Sequence, residues 1–175
     1  MSTLFMDVLG DAAFSTLPAR VQALHRATGT RTYRGKADVL RGTGLLARLC
    51  GLVTAQPPAA QGVALQVQIA ATSAGERWTR NFAGHLMRST MWARDGLLCE
   101  RLGLVTFGFA LSTEDGVLVW RVRSVRALGL PLPAPWFDGV RACESEVAGR
   151  YRFDVEARLP LAGLLVHYRG WLDVG

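Results

Sequence analysis

From Val63 to the C-terminus the chain alternates apolar and polar residues in short runs, each cut by a turn signal. Val63, Leu65, Val67 and Ile69 interleave with Gln66 and Gln68, and Val105, Phe107, Phe109 and Leu111 repeat the pattern. A period of two belongs to a strand with one face in a core and the other in water. Asp95-Gly96 is the strongest hairpin signal, and Ser73-Ala74-Gly75, Glu114-Asp115-Gly116 and Ala148-Gly149 mark further turns. Strands joined so tightly pair antiparallel, and a large flat sheet of them would expose its edges. The pattern therefore predicts a strongly curved antiparallel sheet or a β-barrel of about eight to nine strands.

Ahead of the strands, Leu4 to Leu9 reads as a short apolar helix broken at Gly10. A second helix follows, with Pro18 in its first turn and Leu17, Val21 and Leu24 on one face. Thr30 to Val39 alternates like a strand. A further helix, capped near Thr43, carries Leu45, Leu46, Leu49 and Leu52 on one side and ends before Pro57-Pro58. The prolines of Pro131 to Trp136 exclude a central strand there. The class is α+β: two to three N-terminal helices in a helical part of about residues 1–56, then an antiparallel part of about 63–173, in one domain of residues 1–175.

The net charge of +6 raises the question of nucleic acid, but Lys36 is the only lysine and the arginines are spread singly along strands. No aromatic-basic RNA motif or recognition helix accompanies them, so a solvated arginine-rich outer face is expected and no nucleic acid. The most apolar stretch, Leu45 to Val53, is too short to span a bilayer and contains Arg48. The first residues lack the basic region of a signal peptide, so cytoplasmic residence is expected. Cys50, Cys99 and Cys143 are far apart and read as small buried hydrophobes.

Gly42-Thr-Gly44-Leu-Leu-Ala47 matches a relaxed dinucleotide fingerprint. Hairpins follow it, and no acid lies between Ala60 and Ile69, so it reads as a tight strand-to-helix turn. His25, His85 and His167 lack metal-ligand spacing, and neither a metal nor a cofactor is expected. His25 belongs to a helix end, where the dipole favours a cation. Strand parity places charged groups among aromatics: Arg80 lies between Trp78 and Phe82 on one face, and Glu100 stands on a short central strand. If both point inward they must pair with each other or with a ligand. Tyr168 faces opposite to His167 and belongs to the core. Trp136-Phe137 reads as a plug for a barrel end, with a lid, a membrane-touching tip or a partner contact as the other readings.

Several patches taken together, Trp78-Thr-Arg80-Asn-Phe82, Glu100-Arg-Leu-Gly103, Phe107-Gly-Phe109, Gly129-Leu-Pro131-Leu-Pro133, Gly149-Arg-Tyr-Arg-Phe-Asp-Val155 and His167-Tyr-Arg-Gly-Trp-Leu172, carry a resemblance from Leu17 to Leu172. They resemble a bacterial domain family of unknown function, found alone or fused C-terminally to saccharopine-dehydrogenase-like NAD-binding domains. The resemblance implies a helper of small-molecule or lipid-like metabolism, here in the stand-alone form, and transfers no catalytic role. The expected function is binding of an apolar small molecule or lipid-like ligand in a β-cavity. Trp78, Phe82, Phe107, Phe109 and Trp120 would form its walls, and Arg80 and Glu100 would hold the polar end, with His85 and His167 also in the candidate set. The alternatives are an accessory or catalytic partner of an NAD-dependent oxidoreductase, with acid-base work at His85, Glu100 or His167, or a protein-interaction domain. Whether the chain is an enzyme is left open, and its catalytic residues are unknown.

Overall fold

The computed structural model describes residues 3–175. Met1 and Ser2, with which the expected domain and the N-terminal stretch begin, lie outside the described residues. Three short helices come first, α1 (Leu4–Leu9), α2 (Asp11–Ser15) and α3 (Ala19–Arg26), followed by strand β1 (Gly29–Arg41) and helix α4 (Leu45–Val53). A meander of strands follows: β2 (Ala60–Thr72), β3 (Gly75–Phe82), β4 (His85–Arg94), β5 (Leu97–Leu102), β6 (Val105–Glu114) and β7 (Val117–Ala127). After the short β8 (Leu130–Leu132) and a 3-10 turn at Ala134–Phe137, the chain runs through β9 (Gly139–Val147), β10 (Arg150–Leu159) and β11 (Gly163–Asp173).

Every pairing is antiparallel. β1 to β7 pair in sequence, β7 pairs with β9, and β9, β10 and β11 pair in turn until β11 meets β1. The result is a closed barrel of ten strands, with β8 attached to the end of β7. The expected barrel is present with more strands than the eight to nine read from the sequence. β8 accounts for one of them: Pro131 costs nothing on an edge, where its missing N–H is not needed. The hairpins are as short as the turn signals require. Asp95 and Gly96, for instance, both adopt positive φ, which matches the twist of the flanking strands.

Alternation decides the wall. Inward positions such as Leu65, Val67 and Ile69 on β2 are buried, while Gln66 and Gln68 between them are exposed. The outer rows carry Arg34, Lys36, Arg77, Arg88 and Arg101, all exposed. A barrel of ten strands is wider than side chains from its own wall fill comfortably. One end is therefore stopped by α1 to α3, which bury Phe5, Phe14, Leu17, Val21 and Leu24 in the core. Each such side chain contributes about 1.5–3 kcal/mol of burial. Arg20 ties the stopper to the C-terminus, with Nη1 donating to the Val174 carbonyl at 2.7 Å.

The opposite end, the mouth, is flanked by α4 and the 3-10 turn. α4 begins after Gly44 with no side-chain cap, so the cap expected at Thr43 does not form. Its stripe also differs from an ordinary amphipathic helix. Ala47 and Gly51 face the protein, and Leu45, Leu46, Leu49 and Leu52 are exposed. Gly42 makes the tight turn ahead of it, donating its N–H to the Leu165 carbonyl at 3.1 Å on β11.

Candidate functional site

The interior of the barrel is polar near the stopper and apolar toward the mouth. Deepest is His25, at the end of α3 where the sequence placed it, and fully buried. Its Nε2 lies 2.5 Å from Glu144 Oε2 on β9. Phe5 stacks on one side of its ring at 3.6 Å, with Trp78 beyond the other at 6.1 Å. Glu76, on β3, accepts a hydrogen bond from Trp78 Nε1 at 2.7 Å. Burial raises the Glu76 carboxyl above its ordinary value, against the opposing pull of the Trp78 N–H and the His25 charge. Burial also raises the Tyr151 phenol well above its usual value, and the Glu144 carboxylate beside it adds to the effect.

One layer toward the mouth lies the ion pair of Arg80 and Glu100, which are 9% and 6% exposed. Arg80 Nη2 donates to Glu100 Oε1 at 3.2 Å and Nη1 to Ser89 Oγ at 2.9 Å. The guanidinium carbon sits 4.9 Å from the centroid of the Trp78 ring. Three strands supply this group: Arg80 from β3, Ser89 from β4 and Glu100 from β5. Tyr168 on β11 faces the same space, and burial pushes its phenol up to about 12.

Above these groups is a cavity of about 100 Å³, lined by Trp78, Arg80, Phe82, Glu100, Phe107, Phe109 and Trp120 together with residues of β9, β10 and β11. A second cavity of about 430 Å³ forms the mouth, between α4, the 3-10 turn and the β10–β11 turn. Gln56, Phe107, Val140 and Ala157 line both, so the two spaces meet at a neck. Two polar atoms on this path are buried without a hydrogen-bond partner: Gln56 Oε1 at the neck and Trp120 Nε1 deeper inside. A buried acceptor or donor left unpaired costs about 1–3 kcal/mol, which a ligand group can recover.

Seven of the nine residues expected at the ligand site thus line one cavity. The structure places the other two elsewhere. His85 Nε2 lies 3.0 Å from the Ala55 carbonyl, in the connection that follows α4. His167 Nε2 lies 3.0 Å from Asp154 Oδ1, on the side of β11 opposite to the inward Tyr168. His167 is turned outward by strand parity, whereas His85 shares the inward row of Met87 and Ser89 but stands at the first position of β4, at the rim, where Ala55 holds it outside the cavity. The sequence reading missed His25, Glu76, Glu144 and Tyr151. The last three were accessible to the same parity argument, since Glu144 alternates with the inward Ala142, Tyr151 with Phe153, and Glu76 with Trp78. His25 was not, because nothing in a helix end tells what lies beneath it.

Phe137 is buried and meets Phe107 edge-on at 6.1 Å, so this half of the Trp136-Phe137 pair stops the mouth from the side, while Trp136 is exposed. Burial raises all three thiols, which is the reverse of an activated nucleophile. Among the described residues, no three His, Cys, Asp or Glu side chains converge as a metal site would need. No helix among them is long and apolar enough to cross a membrane. A family model described as a domain of unknown function (DUF4166) matches residues 17–172. No curated protein matches the chain.

Proposed function

We propose that this chain, which belongs to the DUF4166 family, is a binding module that takes a neutral, largely apolar small molecule through its mouth into the barrel. The observation that carries the reading is Gln56 Oε1, a buried acceptor without a partner at the neck between two apolar spaces. The mouth cavity alone, at about 430 Å³, is of the size that small ligands occupy. The polar groups inside favour a neutral ligand. Arg80 is already matched by Glu100 and Ser89, so a carboxylate or phosphate would have to displace a buried anion. A hydroxyl or amide N–H can donate to Gln56 without moving a charge, and a carbonyl can accept from Trp120. Trp78, Phe82, Phe107 and Phe109 supply the apolar walls.

Of the acid-base residues expected for a catalytic partner, His85 and His167 stand outside the interior and Glu100 is held by Arg80. This favours binding over proton transfer at those positions. In the cytoplasmic setting we assign to the chain, a dehydrogenase partner of the kind the family resemblance implies would deliver or use the bound molecule.

The test is mass spectrometry of an organic extract of the purified protein beside Ala157→Phe, whose ring would fill the neck. The expected result is one neutral apolar compound in near-stoichiometric amount from the wild type and little from the variant, with unchanged circular dichroism. Titration with the neutral probe N-phenyl-1-naphthylamine decides the case of an empty extract. Saturable one-site binding that Ala157→Phe abolishes sustains the reading, and no binding by the wild type removes it.

A further inference from the structure

The exposed apolar side chains are gathered at one end of the barrel. Among the described residues, most of the large exposed hydrophobics stand at the mouth, with Leu40 and Leu86 on the outward rows of β1 and β4 and Val147 at the end of β9 as the exceptions. The most prominent are Leu161 at 96% exposure in the β10–β11 turn, and Leu45 and Leu52 at 84% and 81% on α4. Leu49 on α4, Leu128 beyond β7 and Trp136 on the 3-10 turn complete a rim around the opening. Scattered exposed leucines are ordinary, but a contiguous ring of them marks a surface that meets something. The helix is inverted to make this ring: the small Ala47 and Gly51 face the protein so that the leucines face out.

The charge at this end says what it meets. Arg48 on α4 and Arg126 near the end of β7 stand exposed beside the apolar tips, and Arg88 and Arg101 are exposed on the wall below. None of the four has a carboxylate partner among the described residues. Carboxylates at the rim are fewer. Asp138 stands there, and Glu156 is held between Arg141 and Arg158. A second copy of the chain would bring like charge against like, on a protein of net charge +6. An anionic lipid surface satisfies both features at once, taking leucines and a tryptophan into its acyl boundary and arginines at its headgroups. The arginine-bearing outer wall stays in water, since its rows cannot face hydrocarbon.

We propose that the rim of the mouth docks on an anionic bilayer, placing the opening of the barrel against the lipid. This goes beyond the cavity reading and does not depend on it, because the rim is built whether or not the barrel carries a ligand. Such a surface would let an apolar molecule pass between membrane and barrel without crossing water.

The experiment is flotation of the whole protein with vesicles of equal parts phosphatidylcholine and phosphatidylglycerol, beside vesicles of phosphatidylcholine alone. The wild type is expected to float with the anionic vesicles, less so at high salt. A Leu52→Glu, Leu161→Glu double variant should lose binding at least about tenfold, and an Arg48→Gln, Arg126→Gln variant about tenfold. All four positions are exposed, so unchanged circular dichroism and thermal midpoint are expected alongside. Absence of wild-type flotation, or flotation indifferent to the Leu52→Glu, Leu161→Glu change, overturns the proposal. So does sedimentation velocity showing a wild-type oligomer that those two substitutions turn into a monomer, because the rim would then face a second copy. None of these outcomes bears on the extract measurement, so the two readings fail separately.

Discussion

Glu76 shows how much a single buried group can report. Its carboxylate is nearly inaccessible and accepts one hydrogen bond, from Trp78 Nε1. In the unfolded chain it titrates near 4.5, and in the fold burial raises it. The folded state therefore keeps the proton to higher pH than the unfolded state does. Between 4.5 and the raised value the native chain binds more protons, so stability falls as pH rises through that window and stays lower above it. Glu76→Gln cannot ionise and still offers an oxygen to Trp78. Urea midpoints at mildly acidic and mildly alkaline pH should show a smaller fall for the variant than for the wild type. The substitution leaves every other ionisable group in place, so the difference isolates Glu76, and parallel pH profiles would refute the argument. At this scale parity set Arg80 on one face with Trp78 and Phe82 but left open whether it and Glu100 point inward and whether each other or a ligand would match them; the structure buries both and pairs them. Parity failed for His167 because sharing a row with Trp171 does not say which side of the wall that row is on, and for His85 because the first residue of a strand lies at the rim whatever its parity.

The elements were legible where a period and a turn coincide. The alternating runs became barrel strands, ten where eight to nine were expected, and the Asp95-Gly96 and Ala148-Gly149 turns lie between the strands they were read to join. β8, with Pro131 at its centre, escaped because edge strands tolerate what central strands do not. α4 misled in a different way. Its leucines describe an apolar stripe, but a stripe on one helix does not say whether protein or something else will cover it. The closing seam between β1 and β11 was not legible either, and it depends on glycine. A Cβ on Gly35 would lie 1.8 Å from the Trp171 carbonyl oxygen, a backbone atom in the partner strand with nowhere to move. Gly35→Val should therefore cost at least about 3 kcal/mol, by analogy with the worst overpacked cores, or prevent closure altogether. Chemical denaturation followed by circular dichroism measures it, and a variant within about 1 kcal/mol of the wild type would show that the seam yields.

At the scale of the molecule, the fold is one continuous meander whose first and last strands are neighbours. The class was visible from pattern alone, because so many short alternating runs leave a sheet no choice but to curl. Which strands would close it, and that three helices would stop one end while the other stayed open, depended on contacts between residues far apart in the chain. Removing β11, residues 163–173, should leave β1 and β10 as unpaired edges. We expect such a truncation to be recovered in aggregates, and to show no cooperative transition when solubilised. A soluble truncated chain with a sharp unfolding transition would mean that the remaining strands close without it. The same seam imposes an order in time. A ribosome adding roughly 5–20 residues per second makes β1 the first of the barrel strands and its partner β11 the last of them. While the barrel strands are being made the sheet is thus an open ribbon with a bare edge at Gly29–Arg41, and a nascent chain that stalls before β11 has nearly everything the barrel needs except the strand that makes an inside.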